Sequence, residues 1–134
     1  MTHYLLDTNI CIYIINKRPP EVFERFRRIK LMQLHIPTIV ISELYFGLEK
    51  NQSHKRNASF LENFIAPLSI TGFSVEAAKH AAIIRYQLRK QGTPIGAYDI
   101  QIAAIALAED MVLLTNNTKE FERIEGLKLE NWVQ

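Results

Sequence analysis

The chain has 134 residues, of which 48% are hydrophobic, and a formal net charge of +2. That length and composition predict one folded domain over residues 1–134 and argue against disorder. The single cysteine, Cys11, excludes an intrachain disulfide and a four-cysteine zinc site, and the four histidines lack metal-ligand spacing. No apolar run approaches the ~20 residues of a membrane span, and no signal-peptide pattern opens the sequence, so we expect a cytoplasmic protein without membrane contact.

Short apolar runs alternate with longer stretches of helical periodicity. This alternation predicts an α/β fold in which crossover helices connect the strands of a parallel sheet. In the first half we expect a strand at 4–6, helices at 8–16 and 21–29, a strand at 34–36, a helix opened by Pro37 and Thr38, and a helix capped by Ser53 that buries Phe60, Leu61, Phe64 and Ile65. In the second half we expect a strand at 68–70, a helix from Ser74 to about Gln91, a helix within 96–108, a strand at 111–114, a short helix capped by Thr118, an edge strand at 127–129 and a packed Trp132.

Basic side chains form three groups along the sequence. Such groups are typical of surfaces that contact phosphates. A solvated helix face has the same composition, so both interpretations stay open for each group. The groups are Lys17, Arg18, Arg25, Arg27, Arg28 and Lys30; then Lys50, Lys55 and Arg56; then Arg85, Arg89 and Lys90.

Four acidic residues have apolar or structural settings. Asp7 directly follows the first strand, Glu43 lies on the inner side of a helix, Asp99 is in the first turn of a largely apolar helix, and Glu120 follows the fourth strand. Ligands of open α/β sheets bind beyond the carboxyl ends of the strands, where Asn117 is also expected. Taken singly, Asp7 or Asp99 is a helix cap, Glu43 pairs with a buried arginine, and Glu120 is a surface residue. Taken together, they predict a site at one edge of the sheet.

Carboxylates that converge without basic neighbours favour a hard divalent cation, Mg²⁺ or Mn²⁺. Such an ion leaves open positions for water and a substrate phosphate, which suits phosphodiester hydrolysis. Convergence on one ion requires carboxylate oxygens within about 4 Å of one another. At least one of these carboxylates should then have a raised pKa when the metal is absent.

Four sequence motifs resemble those of the PIN-domain ribonucleases, and most closely those of the VapC toxins of bacterial type II toxin–antitoxin pairs. They occur along the chain in the same order as in that family. The resemblance covers essentially the whole chain, and it depends on the set of motifs and their order rather than on any one of them. The motifs are Leu6-Asp7-Thr8-Asn9, Ser42-Glu43-Leu44 with Gly47, Pro94-Ile95-Gly96 before Asp99-Ile100-Gln101-Ile102-Ala103, and Thr115-Asn116-Asn117-Thr118-Lys119-Glu120-Phe121.

This resemblance implies a three-layer α/β/α sandwich with a central, mainly parallel sheet of four to five strands. It also implies an Mg²⁺-dependent endoribonuclease that forms a homodimer and is inhibited by a co-expressed, VapB-like antitoxin. Its RNA substrate is expected to be a tRNA, with initiator tRNA as one candidate.

By motif position, the resemblance assigns Asp7 and Asp99 as metal ligands and Glu43 as a ligand or an activator of water. Many relatives carry an aspartate in the last motif, where this chain offers Asn116, Asn117 and Glu120. Glu120 is therefore the fourth acidic candidate, and Asn117 could instead hold a metal-bound water. Supporting hydrogen bonds to the carboxylates are expected from Thr8, Asn9 and Thr115.

Two other functions also fit part of the pattern. A phosphatase of the haloacid-dehalogenase type also begins with a strand that ends in aspartate, but it needs a second aspartate two residues later, where this chain has Asn9. A non-catalytic nucleic-acid-binding module would explain the basic groups. It would not explain three inward carboxylates, because these repel phosphate.

Overall fold

A computed structural model describes residues 1–51 and 54–133, apart from the side chains of residues 54–56. Its five strands form one sheet, in which all neighbouring strands are parallel and the order is β3-β2-β1-β4-β5. The predicted α/β fold with a parallel sheet is therefore confirmed. The strands are β1 (Tyr4–Leu6), β2 (Leu34–Pro37), β3 (Ser69–Thr71), β4 (Val112–Leu114) and β5 (Leu129–Glu130).

Seven α-helices, within the same described ranges, connect the strands. α1 packs on α2 and α3, α3 packs on α4, and α5 lies along α6. Since parallel crossovers are right-handed, the helices between β1 and β3 cover one face of the sheet and the return from β3 to β4 covers the other. This arrangement gives the expected three layers. The helices are α1 (Thr8–Asn16), α2 (Pro20–Arg28), α3 (Thr38–Asn51), α4 (His54–Ile65), α5 (Val75–Gln91), α6 (Ala97–Ala108) and α7 (Thr118–Phe121).

The central strand β1 is buried on both faces, as its apolar run predicted. Its register places Tyr4 beside Leu34 of β2 and Leu6 beside Leu114 of β4. The pairing continues one residue further, because the Asp7 amide donates to the Leu114 carbonyl oxygen at 3.2 Å. Asp7 and Thr115 therefore leave the sheet side by side at its carboxyl edge.

The caps of two helices agree with the sequence. An Asp7 carboxylate oxygen accepts from the Ile10 amide at 2.9 Å and caps α1. The Ser74 hydroxyl accepts from the Ala77 amide at 3.1 Å, and Gly92 ends α5 with φ of +73°, a conformation that glycine adopts without strain. These local signals set where the helices start and stop.

The core is made mostly by the sheet, α1 and α6. Residues 102–106 of α6 are buried, as expected from their uniformly apolar sequence, and three of them are alanines that let the helix approach its neighbours closely. Trp132 is also buried, and its ring lies edge-on to Tyr4 with the centroids 5.8 Å apart. In the part of the chain that the structure describes, no helix has the length and apolar character to cross a bilayer.

Several element boundaries, those of β2, β3, β4 and α2, differ from the predicted ones by one residue, and three further local expectations also differ from the structure. Phe60 is 57% exposed, because α4 packs against α3 with the stripe around Leu61 and only that stripe reaches the core. Thr118 is the first residue of α7, and Asn117 occupies the cap position. The last strand begins at Leu129, two residues later than predicted. The predicted cap Ser53 lies outside the described residues.

Candidate active site

Asp7 sits at the junction of β1 and α1 and is 6% exposed. One of its oxygens caps α1 through the Ile10 amide, and the Thr115 hydroxyl also hydrogen-bonds the carboxylate. Both hydrogen bonds lower the pKa of Asp7, but desolvation by burial outweighs them and raises it from 3.8 to about 6. The nearby charges of Asp99 and Glu43 raise it further, to a smaller extent. Asp7 is therefore a helix cap and also a member of a cluster of acids.

Glu43 projects from α3, which lies in the connection between β2 and β3. Thr8 holds it, since the threonine hydroxyl donates to Glu43 Oε1 at 3.0 Å. This partner is a hydroxyl and not the buried arginine that the sequence left open. The contact joins the first turn of α1 to α3 and fixes one carboxylate oxygen of Glu43.

Asp99 lies in the first turn of α6, where the helix dipole favours an anion. Gly96 occupies the cap position of this helix, so Asp99 is not its cap. Burial raises the pKa of the Asp99 carboxyl, and the charges of Glu120 and Glu43 raise it further. Two carboxylates, those of Asp7 and Asp99, are thus placed where the pKa is raised, with burial as the larger cause and mutual repulsion as the smaller one.

The loop after β4 supplies the amide groups and the fourth acid. The buried Thr115 hydroxyl accepts from the Asn117 backbone amide at 2.9 Å. The Asn117 side-chain amide donates to Glu120 Oε2 at 3.1 Å. Thr115 thus connects Asp7 to the loop, and Asn117 orients Glu120.

A small cavity of about 160 Å³ lies at the carboxyl edge of the sheet, where β1, α3, α6 and the β4–α7 loop meet. Six of the predicted site residues line it. Glu120 and Thr115 do not line the cavity. Glu120 is nevertheless close enough to raise the pKa of Asp99, and Thr115 hydrogen-bonds Asp7. The lining residues are Asp7, Thr8, Asn9, Glu43, Asp99, Ile102, Asn117 and Phe121.

The donors around this cavity suit a hard cation, because they are carboxylate, hydroxyl and amide groups without a histidine or cysteine. Across residues 1–51 and 54–133, however, no three acidic, histidine or cysteine side chains form a ready-made ligand set. The expectation that the oxygens of three carboxylates converge within about 4 Å around an ion stays a prediction. Unneutralised carboxylates repel one another, and Thr8 and Asn117 hold two of the four acids. Mg²⁺ usually keeps several waters and takes one or two carboxylates, so the donor set still fits such an ion.

One contact near the site was missed in the sequence. Asn116 Nδ2 donates to the Tyr13 hydroxyl at 2.8 Å and ties the β4–α7 loop to the middle of α1. A possible signal was the series Asn9, Tyr13 and Asn16, which recurs on one side of an otherwise apolar helix. The hydrophobic walls of the cavity, Ile102 and Phe121, carried no signal that separates them from core residues.

Residues 4–127 match the PIN domain family model. Ribonuclease VapC2 of Haemophilus influenzae is 42% identical over 133 residues, which cover 99% of this chain and all of that protein. The tRNA(fMet)-specific endonuclease VapC of Shigella flexneri is 39% identical over 132 residues, covering 98% of this chain and 99% of that one. Among solved structures, a chain of DNA-bound VapBC from Salmonella typhimurium superposes with a TM-score of 0.91 at 39% identity, covering 99% of this chain and 100% of its own.

The matched segment 4–127 includes strands β1 to β4, all seven helices and the positions that line the acidic cavity. These similarities agree with the motif order along the sequence and with the parallel sheet that brings the motifs to one edge. The chain therefore belongs to the PIN-domain family, among its VapC ribonucleases.

Proposed function

We propose that the protein is an endoribonuclease toxin that uses Mg²⁺ or Mn²⁺ to hydrolyse tRNA, with initiator tRNA as the first candidate. The observation that carries this proposal is the cavity at the carboxyl edge of the sheet, where Asp7, Glu43 and Asp99 meet. We infer that residues 1–134 form a single PIN domain, because the five strands form one sheet and the family model matches residues 4–127.

Asp7 and Asp99 would hold the metal ion, with Glu43 as a further ligand or as the group that activates water. When bound, such an ion lowers the pKa of its water and neutralises charge on the phosphate in an in-line displacement. The raised pKa values of Asp7 and Asp99 favour this assignment, because a cation would relieve the desolvation and repulsion that cause them.

The remaining side chains keep these acids in place. Thr8 fixes one oxygen of Glu43 and leaves the other oxygen for a water or a proton. Asn117 holds Glu120 beside Asp99, so Glu120 acts from the rim of the cavity. Ile102 and Phe121 form apolar walls that exclude bulk water and strengthen the electrostatic interactions inside.

The substrate class and the partners are supported by the relatives. The Shigella flexneri and Salmonella typhimurium proteins are named tRNA(fMet)-specific endonucleases and match over 98% of this chain. Solved structures of similar chains are VapBC complexes, two of them with DNA. We therefore expect a VapB-like antitoxin as the inhibitor, a homodimer as the toxin's own assembly, and action on RNA in the cytoplasm.

The test is cleavage of purified tRNAs by the antitoxin-free protein with Mg²⁺, with Mn²⁺ and with chelator. Asp7→Asn and Asp99→Asn should each lower the cleavage rate by at least ~10²-fold, the scale of losing an activated water or a charge-stabilising group. Asp110→Asn is the matched control, because this aspartate is exposed and pairs with Lys128 at the opposite edge of the sheet.

Two outcomes would contradict the proposal. Full activity in chelator would remove the metal from the mechanism. Intact tRNA together with hydrolysis of a small phosphomonoester would instead favour the phosphatase alternative. Sequencing of RNA ends after brief expression of the wild-type protein would then locate the cleavage position in cells.

A further inference from the structure

A second cavity lies along α1 and is separate from the acidic one. It measures about 620 Å³ and is lined by Ile12, Tyr13, Asn16, Arg18 and Pro19. None of these residues contributes to the acidic cavity. The lining combines an aromatic ring, an amide and an exposed guanidinium, whereas the first cavity is dominated by carboxylates.

The two cavities share one face of the same helix. Asn9 lines the acidic cavity, and Ile12, Tyr13 and Asn16 line the second one. Positions 9, 12, 13 and 16 follow the i, i+3, i+4, i+7 spacing that aligns side chains on one side of an α-helix. From Asn9 to Asn16 this stripe runs about 10 Å along the helix axis. It leads directly away from the proposed position of the scissile phosphate.

The β4–α7 loop, which contains the last of the four sequence motifs, contacts α1 between the two cavities. Asn116 Nδ2 donates to the Tyr13 hydroxyl at 2.8 Å, and the next residue, Asn117, lines the acidic cavity. The side-chain oxygen Oδ1 of Asn116 is buried and has no hydrogen-bond partner in the described part of the chain. The Tyr13 ring is therefore fixed at its hydroxyl end, while its partly exposed face borders the open cavity.

We propose that this second cavity binds the nucleotide next to the scissile phosphate of the RNA. The inference rests on the proposed ribonuclease function. The base packs on the Tyr13 ring, as bases do on aromatic platforms in single-stranded sites, and the Arg18 guanidinium contacts a backbone phosphate. Charge also favours RNA as the occupant. The phosphates of an RNA are repelled by the carboxylates of the first cavity, and the positive charge of Arg18 in the second cavity offsets this repulsion.

The test measures binding of a fluorescein-labelled anticodon stem–loop of initiator tRNA by anisotropy, in chelator to prevent cleavage. Tyr13→Leu should weaken binding about tenfold to hundredfold, as expected for loss of one stacked base. Tyr13→Phe keeps the ring and should bind within about threefold of wild type. With metal present, Tyr13→Leu should raise KM more than it lowers kcat, because the group binds substrate away from the reacting atoms.

Arg18→Gln provides an independent arm that does not touch the core, since Arg18 is exposed. Loss of one phosphate contact should reduce the slope of log Kd against log salt by about 0.7–0.9, which a merely structural residue would not change. Lys128→Gln is the control, because it removes one exposed positive charge at the opposite edge of the sheet.

Three results would overturn the inference. If Tyr13→Leu and Arg18→Gln bind and cleave RNA like wild type, the cavity is not a nucleotide subsite, although the ribonuclease function stands. If these variants lose only affinity for the co-expressed antitoxin, the cavity serves that protein. If wild type neither binds nor cleaves RNA, the proposed function fails and this inference fails with it. Should Tyr13→Leu not fold, as judged by its circular dichroism, Arg18→Gln decides alone.

Discussion

At the scale of single residues, Asp7 has two roles that conflict. As the cap of α1 it stabilises the fold, but as a buried carboxylate it is costly to ionise, and its pKa rises from 3.8 to about 6. Between these values the folded state binds more protons than the unfolded chain. The free energy of unfolding therefore falls as pH rises from about 4 to 6 and stays lower above that range. The shift corresponds to about 3 kcal/mol at neutral pH.

Asp7→Asn should therefore stabilise the metal-free protein at pH 7, by up to about 3 kcal/mol. Asparagine is an equally good cap, so the hydrogen bond from the Ile10 amide is kept while the buried charge is removed. The measurement is urea unfolding in chelator at pH 4 and at pH 7. The gain should appear at pH 7 and shrink toward pH 4, and a smaller slope should remain from Asp99. A variant that unfolds more easily than wild type at pH 7 would show that the ionised carboxylate is structural.

At the scale of elements, α6 joins the core to the site. Its central residues are fully or nearly fully buried, and Asp99 lies one turn before Ala103 on the same face. The position of Asp99 therefore depends on how closely the alanine-rich face of α6 packs against the neighbouring elements. If Asp99 holds the metal as proposed, small residues at this interface should affect catalysis without touching the substrate.

Ala103→Leu should destabilise the protein by about 1–3 kcal/mol, because the added atoms have no space in a well-packed core. It should also lower cleavage of RNA, since α6 must move outward and carry Asp99 with it. Ala82→Leu on the exposed face of α5 is the control and should stay within about 0.5 kcal/mol of wild type. Chemical unfolding and a cleavage assay at low temperature separate the two effects. Unchanged stability of Ala103→Leu would mean that α6 is packed loosely.

Elements with strong local signals were predicted well from the sequence, and contacts between elements were predicted poorly. Asp7, Ser74 and Gly92 encode helix ends through their own hydrogen bonds or backbone geometry, so those boundaries were correct. The helical spacing of Phe60 predicts a core position. How many residues of α4 are buried depends on its packing against α3, however, and Phe60 lies outside the buried stripe. The contact between Tyr13 and Asn116 joins residues far apart in sequence, and the polar series that includes Tyr13 does not specify its partner.

At the scale of the whole molecule, the sheet brings three acids from separate connections to the lining of one cavity, and Glu120 lies near one of them, Asp99. The motif order made this gathering predictable, because successive parallel strands deliver their ends to the same edge. The side-chain distances were not predictable, since they reflect the balance between repulsion, burial and individual hydrogen bonds. A cation bound in the cavity would offset the repulsion and the burial cost of the carboxylates, and would thereby stabilise the whole fold.

Mn²⁺ or Mg²⁺ should therefore stabilise the folded protein at neutral pH by mass action, by about 2.7 kcal/mol at a metal concentration one hundred times Kd. Thermal melting of wild type in chelator and in a Mn²⁺ titration measures this. Asp99→Asn should lose most of the metal's effect, and in chelator it should melt at or above the wild-type temperature because one repelling charge is gone. Asp110→Asn should respond to Mn²⁺ like wild type. If wild type ignores Mn²⁺ and Asp99→Asn melts well below it in chelator, Asp99 has only a structural role.

The pairing of β1 with β4 also has a consequence for synthesis on the ribosome. Leu6 is made long before Leu114, yet the two lie side by side in the finished sheet. Pairings between segments so distant in sequence form slowly, and this one must wait until β4 has emerged from the exit tunnel. The cavity needs Asn117 and Phe121 as well. A nascent chain therefore carries no assembled acidic cavity until residue 121 has emerged from the exit tunnel.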